Sequence, residues 1–361
     1  KIFKKLKFNA MKNLIRKKDI LNSSINLEQI YKVKNFPVFM GTVAHSKKED
    51  MFADMIWEIG KDTGMIQLKE LIPLEILYNS NHSSGIVGNL WSQHHEEFAK
   101  FISKFNPNKV FEIGGAHGIL AKKYEKFNPN VDWTIIDPNP IPTENSKAKF
   151  IKGFFSEKSS FDLKGTTIVH SHTLEHIYDP ISFLKSISQK VNQNTYQIFS
   201  VPNINEMIKR KYTNGLNFEH TYLLTEAFID FFLENSGFEL IKKEYFLEDH
   251  SIFICAKKND NLARNAILKK NYYEVNKKIF MNFVKYYDDL INDLNIKISE
   301  SNSNIYLFGA HIFSQYLISV GLNTKKIKSI LDNDNLKQKR RLYGTNLIVE
   351  DPSILKKEND P

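Results

Sequence analysis

Glu112, Gly114, Gly115, Ala116 and Gly118 fall within one short run, Val-Phe-Glu-Ile-Gly-Gly-Ala-His-Gly, residues 110–118. These residue types at this spacing suit a ligand held close to the backbone. Glycine has no Cβ, so the chain can turn tightly and let main-chain N–H groups face a bound molecule. Asp137 follows Gly118 by 19 residues, about the separation at which a carboxylate meets a ribose diol in doubly wound folds. A further polar run, Ser-His-Thr-Leu-Glu-His-Ile-Tyr-Asp (171–179), starts where another apolar stretch ends.

The elements that must position these groups are read from the apolar runs. Strands are predicted at 109–113, 131–136, 149–152, 166–170, 195–201 and 251–257, with 238–245 also β-like. Helical stretches alternate with them, as a doubly wound, mostly parallel α/β sheet requires. Glu112, Asp137 and Ser171 then sit at three strand ends, on the edge where such sheets bind ligands. Gly153-Phe154-Phe155-Ser156 follows the third strand, and either phenylalanine is placed to stack on a ligand ring or to join the core.

A Rossmann dehydrogenase would carry Gly-x-Gly-x-x-Gly after its first strand, whereas this chain has Gly114-Gly115-Ala116-His117-Gly118 with Glu112 ahead of it. A cationic sulfonium tolerates a nearby carboxylate better than a pyrophosphate does. The Glu-x-Gly-x-Ala-x-Gly run, the acidic Asp137 and Leu-Glu-His-Ile-x-Asp after the fourth strand together resemble a class I S-adenosylmethionine-dependent methyltransferase. The resemblance implies a doubly wound Rossmann-like sheet and S-adenosyl-L-methionine as cofactor. It implies contacts from Glu112, Gly114, Gly115, Ala116, Gly118, Asp137, Phe154, Phe155, Ser171 and His172, with the Phe154–Phe155 pair covering the adenine.

Four further pieces are similar to the sugar C-methyltransferases that act on nucleotide-linked keto sugars. They are Met65-Ile66-Gln67-Leu68 with Pro73-Leu74, Asn217-Phe218-Glu219-His220-Thr221-Tyr222-Leu223-Leu224-Thr225, His250-Ser251-Ile252-Phe253, and a C-terminal unit with Gly309-Ala310 and Leu331-Asp332-Asn333-Asp334. The match spans most of residues 60–355. It implies His220 as general base, Glu219 orienting it or binding the sugar, and His172 as an alternative carrier of the same proton. His176, one turn further on, is expected to be structural. The family's N-terminal zinc cysteines are absent, and the Tyr of its Tyr-x-Glu-His motif is Asn217 here. That leaves methylation on oxygen or on carbon open. The acceptor implied is a sugar or sugar nucleotide; a small phosphorylated metabolite, a lipid-linked glycan and a non-catalytic scaffold are the alternatives.

The flanks read as three more regions. Residues 1–105 form an N-terminal α+β extension on the substrate side, with strand signals at 36–43 and 64–69 and helical spacing at 72–78 and 93–105. His82, His94 and His95 match no standard ligand spacing, so no metal is expected; they read as part of a substrate-facing loop or as surface histidines. The 106–258 core is followed by a helical connector, 259–303, whose Phe280, Phe283, Val284, Tyr287, Leu290, Ile291 and Leu294 make one packing stripe. Residues 304–361 form a smaller Rossmann-like unit with one turn glycine, Gly309, read as structural or substrate-side.

Composition narrows the classes. The 361 residues are 42% hydrophobic and 25% charged, ordinary for a globular chain. The single cysteine, Cys255, excludes an internal disulfide and a cysteine-based zinc site. A cytoplasmic location is expected, since no long apolar run or secretory signal is visible; the absence of an initiator Met reads as a removed segment. The net charge of +9 is concentrated at the start: residues 1–20 hold eight basic side chains and one acid, leaving 42 basic against 40 acidic elsewhere. Nucleic acid is therefore not expected as a partner. The basic start is expected to be a solvated or helical extension, with contact to an anionic membrane surface or a partner as the alternative, and the oligomeric state is left open.

Overall fold

The computed structural model describes residues 14–78, 88–264 and 266–357. The basic run before Leu14 and the 79–87 loop with His82 lie outside them. Leu27–Pro37 (β1), Phe52–Gly60 (β2) and Ile66–Leu68 (β3) form an antiparallel sheet in that order. Most of β1 and all of β2 lie beyond the expected strand at 36–43. The short strand at 64–69 is found, and Met55, Trp57 and Ile59 of β2 are fully buried.

Asn89–Ser103 (α1) leads into the central sheet. Its strands are Lys109–Ile113 (β4), Asp132–Asp137 (β5), Lys149–Lys152 (β6), Thr167–Ser171 (β7), Tyr196–Pro202 (β8), Phe238–Phe246 (β9) and Ser251–Lys258 (β10), in the order β9-β10-β8-β7-β4-β5-β6. The run from β8 to β6 is parallel, and β10 is antiparallel between β8 and β9. All seven fall within a residue or so of the sequence expectation.

Strand alternation sends successive side chains to opposite faces. Val110, Trp133, Ile135 and Phe253 therefore pack with Phe98, Phe101 and Ile102 of α1 and with Ile119–Tyr124 (α2). Phe111, Ile113, Ile168 and Phe199 pack on the other face with Pro180–Lys190 (α3) and Glu226–Asn235 (α4). The fold is thus mixed α/β around a large, mostly parallel sheet covered on both sides. α4 starts only at Glu226. Residues 221–223 instead run extended along β3: Leu68 N donates to Thr221 O and Leu223 N to Ile66 O.

The long helix Tyr273–Glu300 (α5) occupies the latter part of the expected 259–303 connector. Before it, Asn271 turns the chain, donating to Lys61 O and accepting from Tyr273 N. Ile305–Phe308 (β11), Ile312–Ser319 (α6), Ile327–Leu331 (β12) and Val349–Glu350 (β13) follow, the strands forming a parallel sheet in that order. The α5 stripe is packing, as read: Phe280, Phe283, Tyr287 and Ile291 share one core with Trp57 and Ile59, with Ile204 and Phe218, and with Ile312 and Tyr316. Among the described residues no helix is long and apolar enough to cross a membrane.

Candidate active site

β4 ends at Ile113, and the chain then turns through Gly114 at φ 82°, Ala116 at φ 27° and Gly118 at φ 70° before α2 begins. Alternation places Glu112 on the α1–α2 face, where Trp133 Nε1 donates to its Oε2 at 2.7 Å. The turn lies directly on this carboxyl group. A Cβ on Gly115 would stand 2.5 Å from the Glu112 carboxyl carbon, and one on Gly114 would stand 2.7 Å from Thr173 Oγ1. Such contacts, with a positive φ at Gly114, explain why glycine is needed there. Burial pushes the Glu112 carboxyl up to about 7; the Trp133 bond opposes the shift and the Asp137 charge adds to it.

Asp137 closes β5 beside the same turn. Its Oδ2 accepts from Ala116 N at 3.1 Å and its Oδ1 from Asn139 N at 2.7 Å. Burial raises its pKa, while those two donors lower it. Phe155 packs against Phe111 and Phe183 in the core. Phe154 is 44% exposed and meets the Tyr78 ring edge-on at 6.2 Å. Of the two phenylalanines, Phe154 alone is free to cover a ligand.

A second group of polar side chains lies at the ends of β7 and β8. Ser171 Oγ pairs with Ser200 Oγ at 2.8 Å. His172 takes φ 48°, and its ring sits between Ser251 Oγ, 2.8 Å from Nε2, and Glu175 Oε1, 3.4 Å from Nδ1. A non-glycine residue at positive φ is a strained position of the kind that gathers at functional sites. Leu174–His176 forms a tight 3-10 turn, which folds His176 back into the group. The spacing is a 3-10 turn, not the helical turn expected. His176 Nδ1 is 3.1 Å from Tyr78 Oη and 3.8 Å from Glu219 Oε2, and the His176 and His220 rings meet edge-on at 5.0 Å.

The Glu219-His220 loop is held from both ends. Asn217 Oδ1 accepts from Glu219 N at 2.8 Å and His220 N at 2.9 Å, and its amide donates to Asn214 O at 2.8 Å. Asn217 thus serves as a turn lock where the resembling family has a phenol. Downstream, Arg16 donates to Leu68 O, Thr221 O and Tyr178 O. Arg16 is buried, so it does not belong to the solvated basic extension. Glu219 and His220 do not cap α4, whose N-cap is Thr225.

Burial dominates the electrostatics of this group. It pushes Glu175 and Glu219 up to about 7 and holds His172 and His220 down to about 3 and His176 to about 4. The imidazoles are therefore neutral near pH 7, and a neutral ring carries the lone pair that a base needs. His220 Nδ1 is buried without a hydrogen-bond partner, and so are both Glu175 oxygens. The arrangement can accept a proton from a bound group. Glu175 and Tyr78 were not singled out from sequence; the Leu-Glu-His-Ile run was a signal for Glu175, whereas Tyr78 carries none.

His94 and His95 are buried on α1, not at the surface. They precede Phe98 by four and three residues, so they extend the helix's apolar face.

Residues 88–243 match a family model described as a methyltransferase domain. This stretch is a methyltransferase domain. The match covers 156 of the 361 residues. The residues present fit S-adenosylmethionine as methyl donor: the glycine turn packs its backbone directly on the buried Glu112 carboxyl group, and Asp137 stands beside it.

Among solved structures, the 1,6-didemethyltoxoflavin-N1-methyltransferase of Burkholderia thailandensis is similar at 14% identity, over 55% of this chain and 97% of that one, with a TM-score of 0.41. An S-adenosylmethionine-dependent methyltransferase from Aquifex aeolicus is 15% identical over 46% of this chain and 92% of that one, with a TM-score of 0.37. An O-methyltransferase family protein from Burkholderia thailandensis is 9% identical over 48% of this chain, with a TM-score of 0.37; the chain spans 57% of that protein's length. No curated protein matches the chain.

Proposed function

We propose that this methyltransferase acts on a sugar, nucleotide-activated or part of a surface glycan, and that a hydroxyl oxygen is the first acceptor to consider. The observation that carries this reading is the placement of Glu219 and His220 with Glu175, His176 and Tyr78 at one edge of the sheet. The four-piece resemblance to sugar C-methyltransferases supports the sugar class. Asn217 favours oxygen over carbon, since its amide is committed to the backbone and no phenol stands at that position.

Glu112, the Gly114–Gly118 turn, Asp137 and Phe154 would hold the cofactor, with Ser171 and His172 at its far side. When bound, S-adenosylmethionine supplies a methyl group on a positively charged sulfur. The chain's own part is alignment and proton removal. His220 Nδ1 takes the acceptor's proton, because it is neutral and unpartnered, and Glu219 binds a neighbouring hydroxyl. His172 is the weaker candidate, since both of its ring nitrogens already face side-chain oxygens.

The test is a panel of sugar nucleotides and free sugars incubated with methyl-labelled cofactor. Label transfer to a sugar, with the position fixed by mass spectrometry, is the expected outcome. Transfer only to non-sugar acceptors would overturn the sugar assignment.

A further inference from the structure

We propose that His94, His172 and His250 form a zinc-class transition-metal site. The three come from distant parts of the chain: α1, the residue after β7 and the residue before β10. One donor nitrogen from each lies within 4.8 Å of the other two. Around one ion, with N–Zn near 2.0–2.1 Å in tetrahedral geometry, such nitrogens stand roughly 3.3 Å apart. Side-chain rotation covers that difference.

The outer partners of the rings carry the assignment further. Metal-binding histidines usually hold their second ring nitrogen on a polar partner, which fixes the ring and its tautomer. Here Nδ1 of His94 faces His95 Nδ1 at 3.4 Å, Nδ1 of His172 faces Glu175 Oε1 at 3.4 Å, and Nδ1 of His250 faces Ser251 Oγ at 2.6 Å. That leaves Nε2 of each ring as the donor. His94 is fully buried and its Nε2 has no hydrogen-bond partner. Ser251 Oγ, now 2.8 Å from His172 Nε2, would turn from that atom and keep its bond to His250.

The surroundings suit a dry metal pocket. The Trp91 ring lies 5.3 Å from His94, 4.9 Å from His172 and 5.2 Å from His250. Phe246 and Phe253 close the opposite side, each within about 5.4 Å of His94. Three imidazoles leave a fourth position for water or another ligand. An ion there pins α1 to two strand ends beside the cofactor turn. Neither the sugar nor His220 enters this proposal.

The test uses the full chain stripped with a chelator. Zinc chloride is titrated by calorimetry, bound metal is counted after dialysis, and cobalt(II) is added to a second sample. The expected results are one zinc per chain, the visible d–d absorption of tetrahedral nitrogen-bound cobalt, and a rise in Tm of about 3–4 °C at one hundred times Kd. His94→Gln and His250→Gln should each weaken zinc at least 100-fold, and His176→Ala should leave it unchanged. Absence of zinc binding at micromolar levels would overturn the site, whether or not the protein methylates anything. Retention in His94→Gln with loss in His176→Ala would also overturn it, placing the ion on Glu175, His176 and His220 instead.

Discussion

A carboxyl group raised to about 7 changes charge within the physiological range, and Glu112 is such a group. Its folded pKa lies above the usual 4.5, so its contribution to stability is complete below about 4.5 and is lost as pH rises through about 7. Glu112→Gln keeps an acceptor for Trp133 and removes the ionisation. Thermal and denaturant unfolding should find this variant unchanged near pH 4.5 and more stable than the parent at pH 8, by about 3 kcal/mol. Cofactor affinity should move the other way. In the parent it should strengthen as pH rises through about 7, when the carboxylate forms against a cationic ligand, and in Glu112→Gln that rise should vanish. A pH-independent affinity in the parent would contradict the role given to Glu112. For His220, replacement by Ala should lower kcat by 10²–10⁴-fold with cofactor binding intact. A loss confined to KM would make it a binding residue.

At the scale of elements, the loop carrying Glu219 and His220 is placed by the N-terminal sheet, not by the helix that follows it. Arg16 is the tie: its guanidinium reaches carbonyls of residues 68, 178 and 221 from a buried position. Arg16→Met should remove the guanidinium donor from the three carbonyls, of which Thr221 O keeps its bond from Leu68 N, costing about 2–4 kcal/mol in unfolding experiments, and should lower methyl transfer more than cofactor binding. The same element shows where sequence reading reached its limit. The central strands were legible because each is a short apolar run bounded by turns, and β4 to β10 appear where expected. β1 was not, since Glu28, Lys32 and Lys34 interrupt its apolar residues, and β2 contains Asp54 and Glu58. The Glu-x-Gly turn and Asp137 were visible because their chemistry is local. The grouping of Tyr78, Glu175, His176 and Glu219, and that of His94 with His172 and His250, depends on contacts between residues far apart in sequence, and no local spacing encodes it.

Across the whole molecule, the N-terminal sheet, α5 and the C-terminal sheet share one core. A buried ion pair also joins them: Arg341 Nη1 and Nη2 meet the Asp50 oxygens at 2.7 Å each, and Gly344 N donates to the same carboxylate. Breaking a buried pair leaves an uncompensated charge, so Asp50→Ala should destabilise by about 3–5 kcal/mol. The C-terminal sheet also repeats the cofactor turn in outline, with Ala310 N donating to Asp332 Oδ2 at 2.8 Å. Lys337 Nζ sits on that carboxylate at 3.0 Å, which suits a structural part better than a second cofactor site. The claim on which all of this depends is that the turn over Glu112, together with Asp137, holds S-adenosylmethionine. Calorimetric titration of the cofactor and of S-adenosylhomocysteine into the full chain, beside Asp137→Ala, tests it most directly. The expected result is one site per chain, weakened at least tenfold in the variant. No binding at millimolar ligand, or equal affinity in both proteins, would contradict it.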